Sequence, residues 1–244
     1  MATFVPRPLL NIKVLFKSST DVTDAICDIW RNTVDYMCGN HRTLRRIYIE
    51  KSIDLLDTKV SKLNGMISGS WWETCGGIGR CGRRWELIQA YSSNAVDFQD
   101  ILFAVQSCAG KAKFSRRQIT FYEALKSPME KLCQATSDLL HLCLESCKDG
   151  SIDDDEKEEI QEAIESVRSE SIMLLDAYAG MVSEQGVPAP GLSESSDHVL
   201  MVALMSWSRG IRSLAEPWLQ LVFFFDVIVA SCCCYLLLFC LFSF

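Results

Sequence analysis

The chain has 244 residues, of which 49% are hydrophobic, and a formal net charge of −7 at pH 7. This length is sufficient for one sizeable hydrophobic core. The acidic balance argues against a general nucleic-acid partner, because such a partner requires a basic protein face.

The N-terminal residues 1–16, MATFVPRPLLNIKVLF, do not resemble a secretory signal, because they contain two prolines and no small-residue cleavage pattern. We therefore expect the body to lie in the reducing cytosol, where most of the twelve cysteines would be free thiols. Four of them fall on apolar stripes and are predicted to be buried like small apolar side chains: Cys27, Cys38, Cys108 and Cys133.

The helical periodicity predicts an all-α body. A first helix is expected over residues 21–38, and apolar residues then recur at steps of four and three along four segments. The stripes are Ile49, Ile53, Leu56, Val60, Leu63 and Ile67; Tyr91, Ala95, Phe98, Leu102 and Val105; Tyr122, Leu125, Met129, Leu132, Thr136, Leu139 and Cys143; and Ile160, Ile164, Val167, Ser171, Leu174 and Tyr178. Such stripes are core-forming helix faces. They predict an elongated helical bundle over residues 20–185, after an N-terminal extension of residues 1–19.

Helix start and loop signals divide this body further. Ser127-Pro128-Met129-Glu130 matches a capping box with proline at the first helical position, although the helical period also runs straight through it, as in a kinked long helix. A second start is predicted at residues 151–154. Loops are expected at residues 69–83 and at a flexible hinge of residues 186–196, which precedes a membrane-proximal helix of residues 197–217.

The C-terminal residues 218–244 predict a transmembrane helix. From Leu219 they read LQLVFFFDVIVASCCCYLLLFCLFSF, with no charged side chain after Asp226. Roughly 18 or more such residues can cross a bilayer. The rival interpretations are the buried last helix of a larger bundle and the end of a fragment.

Residues around this stretch indicate its orientation. Asp226 falls about one turn in, where headgroups can hydrate it, and Trp218 suits the interface; an intramembrane acid that seeks a partner is the alternative interpretation of Asp226. Arg209 and Arg212 precede the stretch and no basic residue follows it, so the positive-inside rule predicts a single-pass protein with a cytoplasmic body. Three cysteines inside the stretch are either acylation candidates or thiols packed in lipid: Cys232, Cys233 and Cys234.

Motifs for chemistry are incomplete. Residues 77–82 match GxGxxG but follow a predicted helix, which favours an interhelical turn over a dinucleotide site. The pairs Cys75/Cys81 and Cys143/Cys147 lack zinc spacing. Residues 149–156 match only the second half of a calcium-binding loop. The three histidines have no nucleophile pattern: His41, His141 and His198. We therefore predict no enzyme, no cofactor and no metal site.

Three stretches together resemble a known family. They are Ser70-Trp71-Trp72-Glu73, the helix of residues 91–108, and residues 123–129, which lead into another long helix. Their order is similar to that in the cytoplasmic helical domain of the fusaric-acid-resistance and aluminium-activated malate transporter superfamily, with Thr74 in place of the proline of that family's Trp-Glu-Pro element. The resemblance covers about residues 20–215. It implies a six-helix membrane bundle for organic anions before this domain, and it assigns only Trp72 and Glu73 to a family element.

The sequence therefore predicts a membrane-associated, non-enzymatic helical protein. The resemblance implies the cytoplasmic module of an organic-anion transporter, truncated or detached from its membrane bundle. The alternative is a tail-anchored adaptor or tether unrelated to transport. The expected partners are membrane lipid and either a membrane protein or further copies of this chain, not nucleic acid.

Overall fold

The protein is all-α throughout the part that the structure describes. The computed structural model describes residues 9–39, 43–70, 79–111, 116–146, 153–185, 199–216 and Leu219, and within these residues it contains six helices and no strand. The helices are α1 Leu9–Met37, α2 Thr43–Ser70, α3 Gly79–Lys111, α4 Arg116–Glu145 and α5 Asp154–Gln185, followed by α6 over residues 199–216.

The four predicted stripes are buried in the core, as expected. Every residue of the α2, α3 and α4 stripes is buried, and in the α5 stripe only Tyr178 is partly buried. These stripes are buried because each helix has apolar side chains on one face, and packing those faces together removes them from water.

Helix α1 organises the bundle, since it packs against α2, α3 and α4. Arg45 of α2 pairs with Asp35 at 2.8 Å, and Lys59 donates to the Asp21 carbonyl at 3.1 Å, so α2 runs antiparallel to α1. Helix α4 also runs antiparallel to α1. The Cys38 sulfur lies 4.0 Å from the Met129 sulfur, and Asp24, which precedes Cys38 in α1, contacts His141, which follows Met129 in α4. Helix α5 packs on α4.

Helix α1 begins earlier than the sequence predicted. It starts at Leu9 instead of residue 21, and Leu15 and Ser19 are buried. Part of the proposed N-terminal extension therefore belongs to the bundle. Residues 17–20, KSST, interrupt the apolar pattern between Leu15 and Val22. Ser19 is nevertheless buried, because its hydroxyl donates to the Leu15 carbonyl at 3.0 Å.

Pro128 lies inside α4, so the predicted capping box is wrong and the continuous helix is correct. Proline removes one helical hydrogen bond. Leu125, Met129 and Leu132 flank it and are fully buried. Their packing keeps the helix continuous across the proline.

The predicted loop of residues 69–83 is too long at both ends. Helix α2 continues to Ser70, whose hydroxyl donates to the Ile67 carbonyl at 2.9 Å, and α3 begins at Gly79.

The predicted helix start near residue 154 is confirmed. Asp153 accepts from the Glu156 amide at 2.8 Å and Glu156 accepts from the Asp153 amide at 3.1 Å, which is a reciprocal capping box.

The hinge of residues 186–196 and the membrane stretch, apart from Leu219, lie outside the described residues. Of the helices that the structure describes, none combines the length and the apolar character needed to span a bilayer.

Candidate functional site

Helix α6 is the candidate site, because it joins the bundle to the apolar stretch. The sequence predicted it over residues 197–217 as a membrane-proximal helix beyond a hinge, and the structure places it at residues 199–216 within the core. Its buried residues cover a wide face: Leu200, Met201, Ala203, Leu204, Trp207, Ser208, Ile211, Leu214 and Ala215. A helix buried over so much of its circumference is part of the bundle.

An aromatic stack fixes α6 to α1. The rings of Trp30 and Trp207 stack with centroids 4.6 Å apart and planes 19° apart, and both side chains are fully buried. Neither indole Nε1 has a hydrogen-bond acceptor among the described residues. The stack is therefore held by burial and ring contact, which for aromatic pairs adds about 0.5–1.5 kcal/mol beyond buried area.

Two further contacts fix α6 to α3 and α5. A Cβ at Gly210 would lie 2.9 Å from the ring of Phe98, so the absence of a side chain allows α6 to approach α3 closely. The hydroxyl oxygens of Ser171 and Ser208 lie 3.2 Å apart in a buried contact between α5 and α6. Helix α6 is thus held from three sides.

The predicted interface residues are only partly described. Arg209 is exposed on α6, whereas Arg212 is half-buried. Leu219, which the sequence placed in the membrane segment, packs against the core. Trp218, Asp226 and the acylation candidates Cys232, Cys233 and Cys234 lie outside the described residues.

His141 belongs to an interhelical pair. Its Nε2 lies 2.9 Å from Asp24 Oδ1, and its Nδ1 lies 2.7 Å from the Ser137 carbonyl oxygen. Burial lowers the pKa of His141, but the hydrogen bonds to Asp24 and Ser137 and the charges of Asp24 and Asp138 outweigh it, so the pKa lies above its ordinary value. With both ring nitrogens facing oxygen atoms, the imidazole joins α1 to α4. His41 and His198 lie outside the described residues.

The described cysteines are buried free thiols. Cys27, Cys38 and Cys133 are buried as predicted, while the side chain of Cys108 is outside the described part. Burial raises the pKa of Cys27 to about 11 and that of Cys38 to about 12. Such thiols are poor nucleophiles at neutral pH because they stay protonated.

The residues weighed for metal binding do not come together where they are described. Cys143 is buried and its pKa is raised to about 12 by burial, while Cys75, Cys81 and Cys147 lie outside the described residues. Glu156 serves the α5 cap instead of a calcium loop. Within the described residues there is no cluster of three or more histidine, cysteine, aspartate and glutamate side chains suited to a metal ion.

The GxGxxG match lies partly in α3, and the family element lies outside the described residues. The last four residues of the match, 79–82, form the start of α3. Trp72 and Glu73, which the family resemblance assigns to a loop element, lie outside the described residues. Comparison with protein-family models, with curated proteins and with solved structures finds no match for this chain.

The Trp207 face was missed from the sequence. Its signal is a fifth stripe at steps of four and three: Leu200, Leu204, Trp207, Ile211 and Leu214. Because a long apolar stretch follows it, residues 197–217 were predicted to form a membrane-proximal helix, although this stripe has the period of the other four.

Proposed function

We propose that this chain is a membrane-associated, non-enzymatic helical protein in which a packed bundle is held at a bilayer by the apolar stretch of residues 219–244. The observation that carries this proposal is the position of α6. It is a core helix up to residue 216, and Leu219 still packs on the core where the apolar stretch begins. The bundle would therefore sit directly against the bilayer.

The non-enzymatic part of the proposal is supported by what the described ionisable groups do. Glu156 caps α5, Arg45 pairs with Asp35, and His141 pairs with Asp24. These are structural uses, in helix ends and between helices. An adaptor or tether needs only a stable body and an attached membrane segment, and both features fit the bundle and its C-terminal stretch.

Membrane attachment is tested with substitutions in the middle of the uncharged run of residues 227–244. Arginine at the centre of a membrane helix costs about 2.5–3.5 kcal/mol on insertion scales, so the L236R/L237R chain should leave membranes in alkaline carbonate while the wild-type chain stays. The L236I/L237I chain is the matched control and should behave as wild type. Extraction of the wild-type chain by carbonate would contradict the proposal and favour a buried helix.

A second candidate is the cytoplasmic module of an organic-anion transporter, to which the family resemblance points. One feature favours it: the resemblance implies a proline in the first half of the family's corresponding helix, and α4 contains Pro128 in its first half. Genomic sequence that continues in frame upstream of Met1 into six apolar segments would support this candidate. An in-frame stop codon directly upstream would contradict it.

A further inference from the structure

Helix α2 has a second stripe, on the face opposite its buried one. This outer stripe also advances by steps of four and three, and its members are Leu44, Tyr48, Lys51, Leu55, Thr58 and Lys62. All six are exposed; Leu44 is 79%, Tyr48 52% and Leu55 56% exposed. The stripe contains no acidic residue. Large apolar side chains exposed in one row mark an interaction surface.

Helix α5 has an outer stripe of opposite charge at the same spacing. Its members, all exposed, are Glu158, Glu162, Glu165, Ser169, Ile172 and Asp176. It contains no basic residue, and Met173 and Leu175 are exposed beside it. The first half of this stripe is acidic, and its second half includes the apolar side chains.

The apolar members of both stripes lie towards the same end of the bundle, and the charged ends of the stripes lie towards the other. Leu44 and Tyr48 lie at the end where α2 approaches Asp35 of α1. Helix α4 begins at that end, and the ring contact of Phe121 with Tyr178 brings the C-terminal half of α5 there as well. Lys62 and Glu158 therefore lie towards the other end, near the α4–α5 turn.

We propose that the outer stripe of α2 binds the outer stripe of α5 on a second copy of this chain. When two copies stand side by side in one orientation with Tyr48 opposite Ile172, Lys62 meets Glu158, and Lys51 lies opposite Ser169, one turn from Glu165, which also pairs with Arg168 at 3.7 Å. Leu44 and Tyr48 then meet Ile172 and its apolar neighbours. Complementary potentials with an apolar contact give such interfaces both their specificity and their register.

With the copies in one orientation, the charges disfavour the simplest alternative, a parallel pair of α2 helices. That arrangement would place Lys51 opposite Lys51 and Lys62 opposite Lys62, with no carboxylate within the stripe, and like charges opposite each other are unfavourable. The α2–α5 contact uses different surfaces on the two copies, so it repeats from copy to copy and gives rows or rings. The shared orientation rests on the proposed membrane attachment, whereas the charge pairing does not.

The experiment measures self-association of the full chain in micelles of a neutral detergent. Copies labelled with donor and acceptor dyes are diluted with empty micelles, and energy transfer reports association. We expect K51E/K62E and E158K/E162K each to weaken association at least ten-fold, because each places like charges opposite each other. An equal mixture of the two variants should recover association, because the intact acidic stripe of one meets the intact basic stripe of the other.

Matched controls change the same charge elsewhere on exposed helix positions. K13E/K17E on α1 and D97K/D100K on α3 should associate as wild type does. The proposal is overturned if the wild-type chain does not associate, if a stripe variant weakens association no more than its control, or if the mixture does not recover. Carbonate extraction is measured separately, so failure of membrane attachment is distinguishable from failure of this interface.

Discussion

Replacing Trp207 by alanine tests whether α6 is part of the cooperative core. The side chain is fully buried and stacks on Trp30 at a centroid distance of 4.6 Å. Removing a buried aromatic side chain costs about 3–5 kcal/mol, and the stack places this site near the middle of that range, about 4 kcal/mol. For a chain of this size each kcal/mol lowers the melting temperature by about 2–4 °C, so a drop of about 8–16 °C is expected.

The assay is far-UV circular dichroism of the full chain in detergent micelles during heating. Ser206, exposed on the same helix, supplies the control S206A, which should melt as wild type does. W207F keeps part of the ring contact and should fall between the two, so it remains informative if W207A does not fold. A loss below about 0.5 kcal/mol for W207A would refute the assignment of α6 to the core, since surface substitutions have effects of that size.

Two further predictions concern Gly210 and His141. G210A should destabilise the protein by up to about 2 kcal/mol, because overpacking against Phe98 outweighs the helix propensity gain of alanine. G180A has open space around the new Cβ and should stabilise the protein by about 0.5–1 kcal/mol. Equal shifts of the urea midpoint in the two variants would contradict this prediction. Because the pKa of His141 is raised in the folded state, the stabilisation by the His141–Asp24 pair is fully present well below pH 6.5, the ordinary pKa of histidine. This stabilisation, under about 1 kcal/mol for so exposed a pair, is lost as the pH rises through the folded-state pKa. D24N should reduce this pH dependence in urea titrations, because Asp24 supplies the side-chain hydrogen bond and a charge that raise the pKa, and an unchanged profile would refute the assignment.

Local signals in the sequence determined the helical class and most core faces. The α2 stripe from Ile49 to Ile67 is buried in full because its period alone defines one apolar face. The start of α5 was also readable, since a capping box is a contact between Asp153 and Glu156, three residues apart. Features of this kind depend on neighbours within one or two helical turns.

Only tertiary structure decided which helix occupies the interior. The sequence placed residues 197–217 near a membrane, but Trp207 meets Trp30 and Gly210 meets Phe98, and both contacts join residues far apart in the chain. The continuity of α4 through Pro128 was likewise undecided by local rules, because a start signal and an unbroken helical period coincide there. A sequence pattern shows which face of a helix is apolar, but the choice of partner depends on how all the faces pack together.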